Sequence, residues 1–204
     1  TGYGINSNNR IFFRDFFISL NPFINDEWIL QSNLGLRDNS NISSNYLINW
    51  TYPESYNLVS NLNQIDIPKT FKNGNISTLW MASDLSSPEF IFDEEDNFQT
   101  INLDDQFTIV TDIIPKKNSE VDIEHSLKQI YNFTKSLLSP LKQKKILILK
   151  KDYAKNPLVG ITEVVPFLNP FSDSFIYETK FIKAYLATYL HELLIIDKRK
   201  KHWI

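Results

Sequence analysis

Ile65-Asp66-Ile67-Pro68-Lys69-Thr70-Phe71-Lys72-Asn73-Gly74-Asn75-Ile76-Ser77-Thr78-Leu79-Trp80-Met81 reads as two strands and the turn between them. Asn73-Gly74 tolerates φ > 0, so it suits a type I′ turn joining Ile65 to Lys72 with Asn75 to Met81. Working outward, short aromatic and β-branched runs recur between Asn, Asp, Gly and Pro: Phe12 to Leu20, Tyr46 to Trp50 and Tyr56 to Ser60. The pattern predicts a β-rich domain over residues 1–115. A second hairpin is expected to pair Glu89 to Phe92 with Phe98 to Leu103 across Asp93-Glu94-Glu95-Asp96-Asn97. Those carboxylates lack the alternating ligand spacing and central Gly of an EF-hand, and read as a solvated turn.

The periodicity changes at Pro115-Lys116-Lys117-Asn118-Ser119. Ser119 is a plausible N-cap with Asp122 three residues on, and Ile123, Leu127, Ile130, Tyr131, Leu137 and Leu138 follow at helical spacing until Ser139-Pro140. This predicts a helix over 120–138. Lys145 to Lys150, apolar between two lysines, reads as a buried strand, and a second strand is expected from Val159 to Phe167 after the Asn156-Pro157 loop. A last helix starts near Ser174. Its stripe of Phe181, Ile182, Tyr185, Leu186, Tyr189, Leu190, Leu193 and Leu194 makes it a core element, with His191 on the flank beside Ala187, Thr188 and Ile195. The fold class is therefore α+β, with residues 116–204 forming an α/β portion.

With 42% hydrophobic residues the chain can bury a proper core, and no run approaches the roughly 18 apolar residues of a membrane span. A formal charge of -3 gives no electrostatic case for nucleic acid as the main partner. The absence of Cys excludes disulfides and thiolate metal sites. The abundance of Asn, Ile and Lys has the look of an A+T-rich coding bias. The sequons at Asn41, Asn49, Asn75 and Asn132 occur at about chance frequency and argue for neither glycosylation nor secretion. Thr1-Gly2-Tyr3-Gly4 reads as a processed or engineered beginning.

Two short stretches carry chemistry: Gly160-Ile161-Thr162-Glu163-Val164 on a predicted strand, and His191-Glu192 on the last helix. With the order of β-rich domain, helix, strand, G-x-x-E strand and His-Glu helix followed by Trp203, the chain resembles the zinc aminopeptidases related to aminopeptidase N. Tyr56-Asn57-Leu58-Val59-Ser60-Asn61 is similar to a strand and turn of that family's N-terminal domain, and Ile76 to Leu85 sits where its last β-domain strand would be. The resemblance implies an N-terminal antiparallel β domain followed by the opening of a thermolysin-like catalytic domain. It implies that Gly160 and Glu163 keep two positions of the family's G-x-M-E-N strand, with Glu163 holding a peptide's free α-amine. It implies His191 as first zinc ligand and Glu192 as the general base acting on metal-bound water.

Two departures set the expectation for activity. An H-E-x-x-H helix places imidazoles at i and i+4, one turn apart on one face, but Ile195 stands where the second belongs. The third ligand, a Glu about twenty residues further on, would fall beyond Ile204. The expectation is a truncated or degenerate relative that does not bind zinc tightly or turn over substrate, with peptide binding retained along the strand. The basic run Lys198-Arg199-Lys200-Lys201 suits a helix C-terminus, and its other reading is a nucleic-acid or membrane patch. An alternative from a different class is a noncatalytic β-rich module that binds protein or glycan through aromatics such as Trp28, Trp50 and Trp80, although such residues at alternating strand positions normally pack inward.

Overall fold

The computed structural model describes residues 3–5, 10–13, 23–24, 26–28, 43–85, 88–112, 123–137, 144–150, 163–165, 182–183 and 185–186. They form a mixed α+β protein whose described residues fall into two compact units, divided between Asp96 and Asn97.

The first unit holds β1 (Tyr3–Ile5), β2 (Ile11–Phe13), β3 (Phe23–Ile24), β4 (Glu27–Trp28), β5 (Ser44–Pro53), β6 (Asn57–Ser60), β7 (Asn63–Gln64), β8 (Lys69–Thr70), β9 (Asn75–Leu85) and β10 (Phe90–Asp93). One antiparallel sheet runs in the order β1-β2-β10-β6, and a second runs β5-β9-β7 with β8 also on β9. Period-2 alternation decides which side chains meet between them. On β5, Tyr46, Ile48, Trp50 and Tyr52 turn inward and Asn45, Leu47, Asn49 and Thr51 turn outward. The core is aromatic: Trp50 lies 5.4 Å from Phe90 and 5.2 Å from Phe92, both edge-on, and Phe13 lies 5.1 Å from Trp50. Tilted and edge-to-face contacts match the charge distribution of aromatic rings better than stacked sandwiches do.

The chain passes from the first sheet to the second at Ser60-Asn61-Leu62, all buried. Ser60 Oγ donates to the Glu89 carbonyl at 2.7 Å and accepts the Leu62 amide at 3.0 Å, while Asn61 Oδ1 accepts the Glu89 amide at 2.9 Å. These bonds satisfy backbone groups that the corner would otherwise strand away from water.

The hairpin around Asn73-Gly74 forms, but with a different turn. The Gly74 amide donates to the Phe71 carbonyl at 3.1 Å and the Phe71 amide to the Asn75 carbonyl at 2.8 Å. Gly74 has φ 77° whereas Asn73 is not among the positive-φ residues, so Lys72 and Asn73 make a type I turn and Gly74 a left-handed bulge. Asn73 Oδ1 instead accepts the Asn75 amide at 3.2 Å. The strand before the turn is broken at Asp66–Pro68, where Asp66 Oδ1 accepts the Leu79 amide at 2.7 Å in place of a backbone carbonyl.

The expected hairpin across Asp93–Asn97 does not form. Phe90–Asp93 is a central strand, paired with β2 on one side and β6 on the other, and buried throughout. Asp93 is tied to Arg10, whose Nε donates to Asp93 Oδ2 at 2.8 Å, an opposite-charge pair that extends the β2–β10 register by one step.

The second unit contains β11 (Gln99–Asn102), β12 (Thr108–Thr111), α1 (Ile123–Leu137), β13 (Lys145–Lys150) and β14 (Glu163–Val165), with sheet order β11-β12-β13-β14. β11 pairs antiparallel with β12, which pairs parallel with β13, and β13 pairs parallel with β14. A parallel pair needs a crossover, and α1 lies in the one between β12 and β13. That pairing is why the units divide ahead of the 115/116 boundary read from composition: β11 and β12 belong to the sheet of β13. Ile101, Ile109, Ile146 and Ile148 form one core with Leu127 and Tyr131 of α1. Leu147, Leu149 and Val110, on the opposite face, are also buried, as parallel strands covered on both faces require. Lys145–Lys150 is thus the buried strand that its apolar run predicted. The helix expected over 120–138 is described from Ile123 to Leu137, and its cap Ser119 lies outside the described residues.

Candidate functional site

Glu163 opens β14, its Cα in register with Ile148 of β13, followed by Leu149 with Val164 and Lys150 with Val165. β14 ends the described path of the sheet. An end strand offers one row of backbone donors and acceptors to an extended segment that adds beside it. The segment preceding His191 belongs to the same unit. Ile182, Lys183, Tyr185 and Leu186 are helical, and Tyr185 is fully buried in the core formed by β12, β13 and α1. Its ring meets Phe107 edge-on at 6.3 Å. The Thr134 hydroxyl donates to the Tyr131 carbonyl at 2.9 Å, which leaves its oxygen to accept from the Tyr185 hydroxyl at 3.0 Å. The apolar stripe predicted for the last helix is therefore a core element at Ile182, Tyr185 and Leu186. Gly160, His191, Glu192 and Ile195 lie outside the described residues, so of the predicted site only the backbone of Glu163 is placed.

The same unit holds a polar cluster that sequence reading missed. Asp104, in the turn between β11 and β12, accepts from the Tyr131 hydroxyl at 2.6 Å and from Lys135 Nζ at 2.8 Å through Oδ2. Its Oδ1 accepts the Gln106 amide at 2.8 Å and the Phe107 amide at 2.7 Å. Partial burial by itself would raise the pKa of this carboxyl, but the bonds from Lys135, Tyr131 and the two amides outweigh it and hold Asp104 well below the usual carboxylate range. Lys135 Nζ also sits 5.5 Å from the centre of the Tyr131 ring. The one legible signal was Tyr131 and Lys135 at i and i+4 on a helix, hence on one face. With four donors already on one carboxylate, the cluster is a clasp between hairpin and helix.

Lys145, first residue of β13, is another perturbed group: burial pushes its amine down to about 8. Lysines near that value serve as bases and nucleophiles in some enzymes, yet structural burial shifts them equally.

The metal expectation can be tested on donor chemistry. Ile195, four residues after His191, offers no lone pair, and His125 is exposed on α1 with its Nε2 2.9 Å from Gln129 Nε2. Among the described residues no three His, Asp or Glu side chains converge as a metal site requires. In the acidic turn, Asp93 is committed to Arg10 and to the Glu95 amide at 3.1 Å. Trp80 is buried and Trp50 packs among Phe13, Phe90 and Phe92, so neither is a surface aromatic. The side chain of Trp28 lies outside the described residues. No helix among the described residues is long and apolar enough to cross a membrane. No protein-family model matches this chain, and neither does any curated protein.

Proposed function

We propose that the chain is a degenerate relative of the zinc aminopeptidases: a β domain joined to the opening of a thermolysin-like catalytic domain, binding peptide without hydrolysing it. One observation carries the reading. Among the described residues the strand of Glu163 ends its sheet, paired parallel to β13, and the helical residues Ile182, Lys183, Tyr185 and Leu186 ahead of His191 belong to the same unit, with Tyr185 in the core of that sheet. Strand and helix thus belong to one unit, the arrangement a peptidase scaffold requires.

In this reading a peptide lies along β14, with Gly160 and Glu163 as the two retained positions of the family's strand motif. Backbone hydrogen bonds hold it in register and Glu163 accepts its α-ammonium group. His191 and Glu192 occupy the first-ligand and general-base positions, and Ile195 removes the pair that would hold zinc.

Isothermal titration of zinc into chelator-treated protein tests the ancestry, on the chain as it stands and on Ile195→His. No binding before the substitution and weak stoichiometric binding after it is the expected result. Absence of binding in both would mean that positions 191 and 195 do not share a zinc-helix face. Titration of a free-amine peptide against its N-acetylated form tests the binding role, and equal affinity would remove Glu163 from it.

A second reading, a noncatalytic β-rich binding module, draws on the exposed apolar residues Leu47, Ile65, Ile67 and Met81 of the first unit, the tryptophans Trp50 and Trp80 being internal. Peptide affinity that Glu163→Gln leaves unchanged, and that Leu47→Lys removes, would favour it.

A further inference from the structure

The two edges of the second sheet are built differently. On one side β7 and β8 are two residues each, separated by the break at Asp66–Pro68, with Lys69 on the strand and Lys72 in the turn. Short strands, proline and lysine are the usual means by which a sheet edge is kept from pairing with another chain. β5 on the other side has none of them before its last residue. It is ten residues long, pairs among the described residues only with β9, and meets its first proline at its last residue. The sequence has no Asp, Glu, Lys or Arg between Asp38 and Glu54, in a chain that is 22% charged. At its middle Leu47 is 65% exposed, in register with Met81 of β9, itself 45% exposed.

From this contrast we infer that β5 is a homodimerisation edge, pairing antiparallel with β5 of a second copy of this chain about a two-fold axis at Asn49. Every second residue of an edge strand turns its amide and carbonyl away from its sheet, and only another extended backbone satisfies such a row throughout. The sequence suits a copy of itself. Centred on Asn49, the outward residues pair as Leu47 with Thr51, and the inward ones as Ile48 with Trp50 and Tyr46 with Tyr52. No charge meets a like charge, the penalty that usually forbids self-pairing. The join would merge two sheets into one continuous sheet and bring the exposed Leu47 and Met81 of each copy beside the seam. The inference does not depend on the peptidase ancestry.

Sedimentation equilibrium over a wide concentration range tests it, with three variants. The unmodified chain is expected to approach twice its monomer mass reversibly. Leu47→Lys, at an exposed position, is expected to stay monomeric with an unchanged circular dichroism spectrum. Because the chain has no cysteine, Asn49→Cys reports the register directly. Facing Cα atoms of an antiparallel pair lie about 4.5–5.5 Å apart, within the roughly 4.4–6.8 Å that a disulfide spans, so this variant is expected to cross-link on oxidation. Thr51→Cys, separated from its own counterpart by about four strand steps or roughly 13 Å, is expected not to. A monomer at all concentrations, a dimer that survives Leu47→Lys, or equal cross-linking at positions 49 and 51 would each overturn the proposal.

Discussion

Tyr131 donates its hydroxyl proton to Asp104 Oδ2 across 2.6 Å, tying the middle of α1 to the β11–β12 turn. The same oxygen takes Lys135 one helical turn further on, and the other oxygen takes two amides of the turn itself. Asp104→Ala is therefore expected to lower unfolding free energy by roughly 1–2 kcal/mol, the cost of several charge-assisted bonds at a partly exposed site where water replaces the lost acceptor. Tyr131→Phe should lose about 1 kcal/mol or less, since the ring keeps its place against Phe107. The folded carboxyl has a depressed pKa, so its contribution is complete above the ordinary carboxylate range and disappears as pH falls through the folded value. Urea unfolding at neutral and acid pH checks this: the gap between wild type and Asp104→Asn should narrow as acid is added.

Lys145 gives a pH dependence of the same sign at the alkaline end. Its amine falls from an ordinary value of 10.5 to about 8 because burial penalises the ammonium. Between those values the unfolded chain holds the proton more tightly than the folded one, so stability rises with pH across the window and the penalty is fully present below it. The window corresponds to at most ~3 kcal/mol. Lys145→Met should remove the penalty, be more stable near neutrality, and show a flatter profile between about pH 8 and 10.5 than the parent. Identical profiles in denaturant melts would mean that the ammonium is well solvated.

Local signals carried the fold as far as local physics decides it. Lys145–Lys150 reads as a buried strand because a short apolar run between two lysines has few other uses, and Leu127, Ile130 and Tyr131 mark their helix by spacing alone. Pairing partners were less legible. Phe90–Phe92 and Gln99–Asn102 sit at hairpin distance, yet the first is claimed from both sides by Ile11–Phe13 and Leu58–Ser60, contacts remote in sequence. The turn type at Asn73-Gly74 failed for a related reason: the dipeptide permits type I′, but the registers of β7 and β8 on β9 and the Glu54 amide bond to the Gly74 carbonyl at 2.9 Å fix a longer loop. Of the candidate site, Glu163 was legible as a strand residue, and the Asp104 clasp was not, because one partner lies on a turn and two on a helix.

Arg10 and Asp93 form an ion pair whose side chains are 12% and 3% exposed. Removing one member of such a pair strands the other charge, at about 3 kcal/mol or more. Arg10→Ala is expected to cost that much, and Arg10→Ala with Asp93→Ala together distinctly less than the sum of the two single changes. A double-mutant cycle by chemical denaturation measures the coupling, and additive losses would show that the pair is solvated rather than buried.

Gly74 tests the turn itself. With φ 77° and no atom within 4 Å of the place where a Cβ would stand, Gly74→Ala meets no steric clash and is left with the backbone cost alone, about 1 kcal/mol. Gly74→Asn should cost less, because asparagine tolerates the left-handed region better than alanine. The neighbouring position separates the two turn types. In a type I′ turn Asn73 would itself need φ > 0, and Asn73→Gly would be neutral or stabilising. In the turn found here Asn73 has ordinary φ and its Oδ1 holds the Asn75 amide, so the same substitution adds unfolded-state entropy and deletes a hydrogen bond. It should lower the melting temperature, and an unchanged or raised melting temperature for Asn73→Gly would restore the type I′ turn.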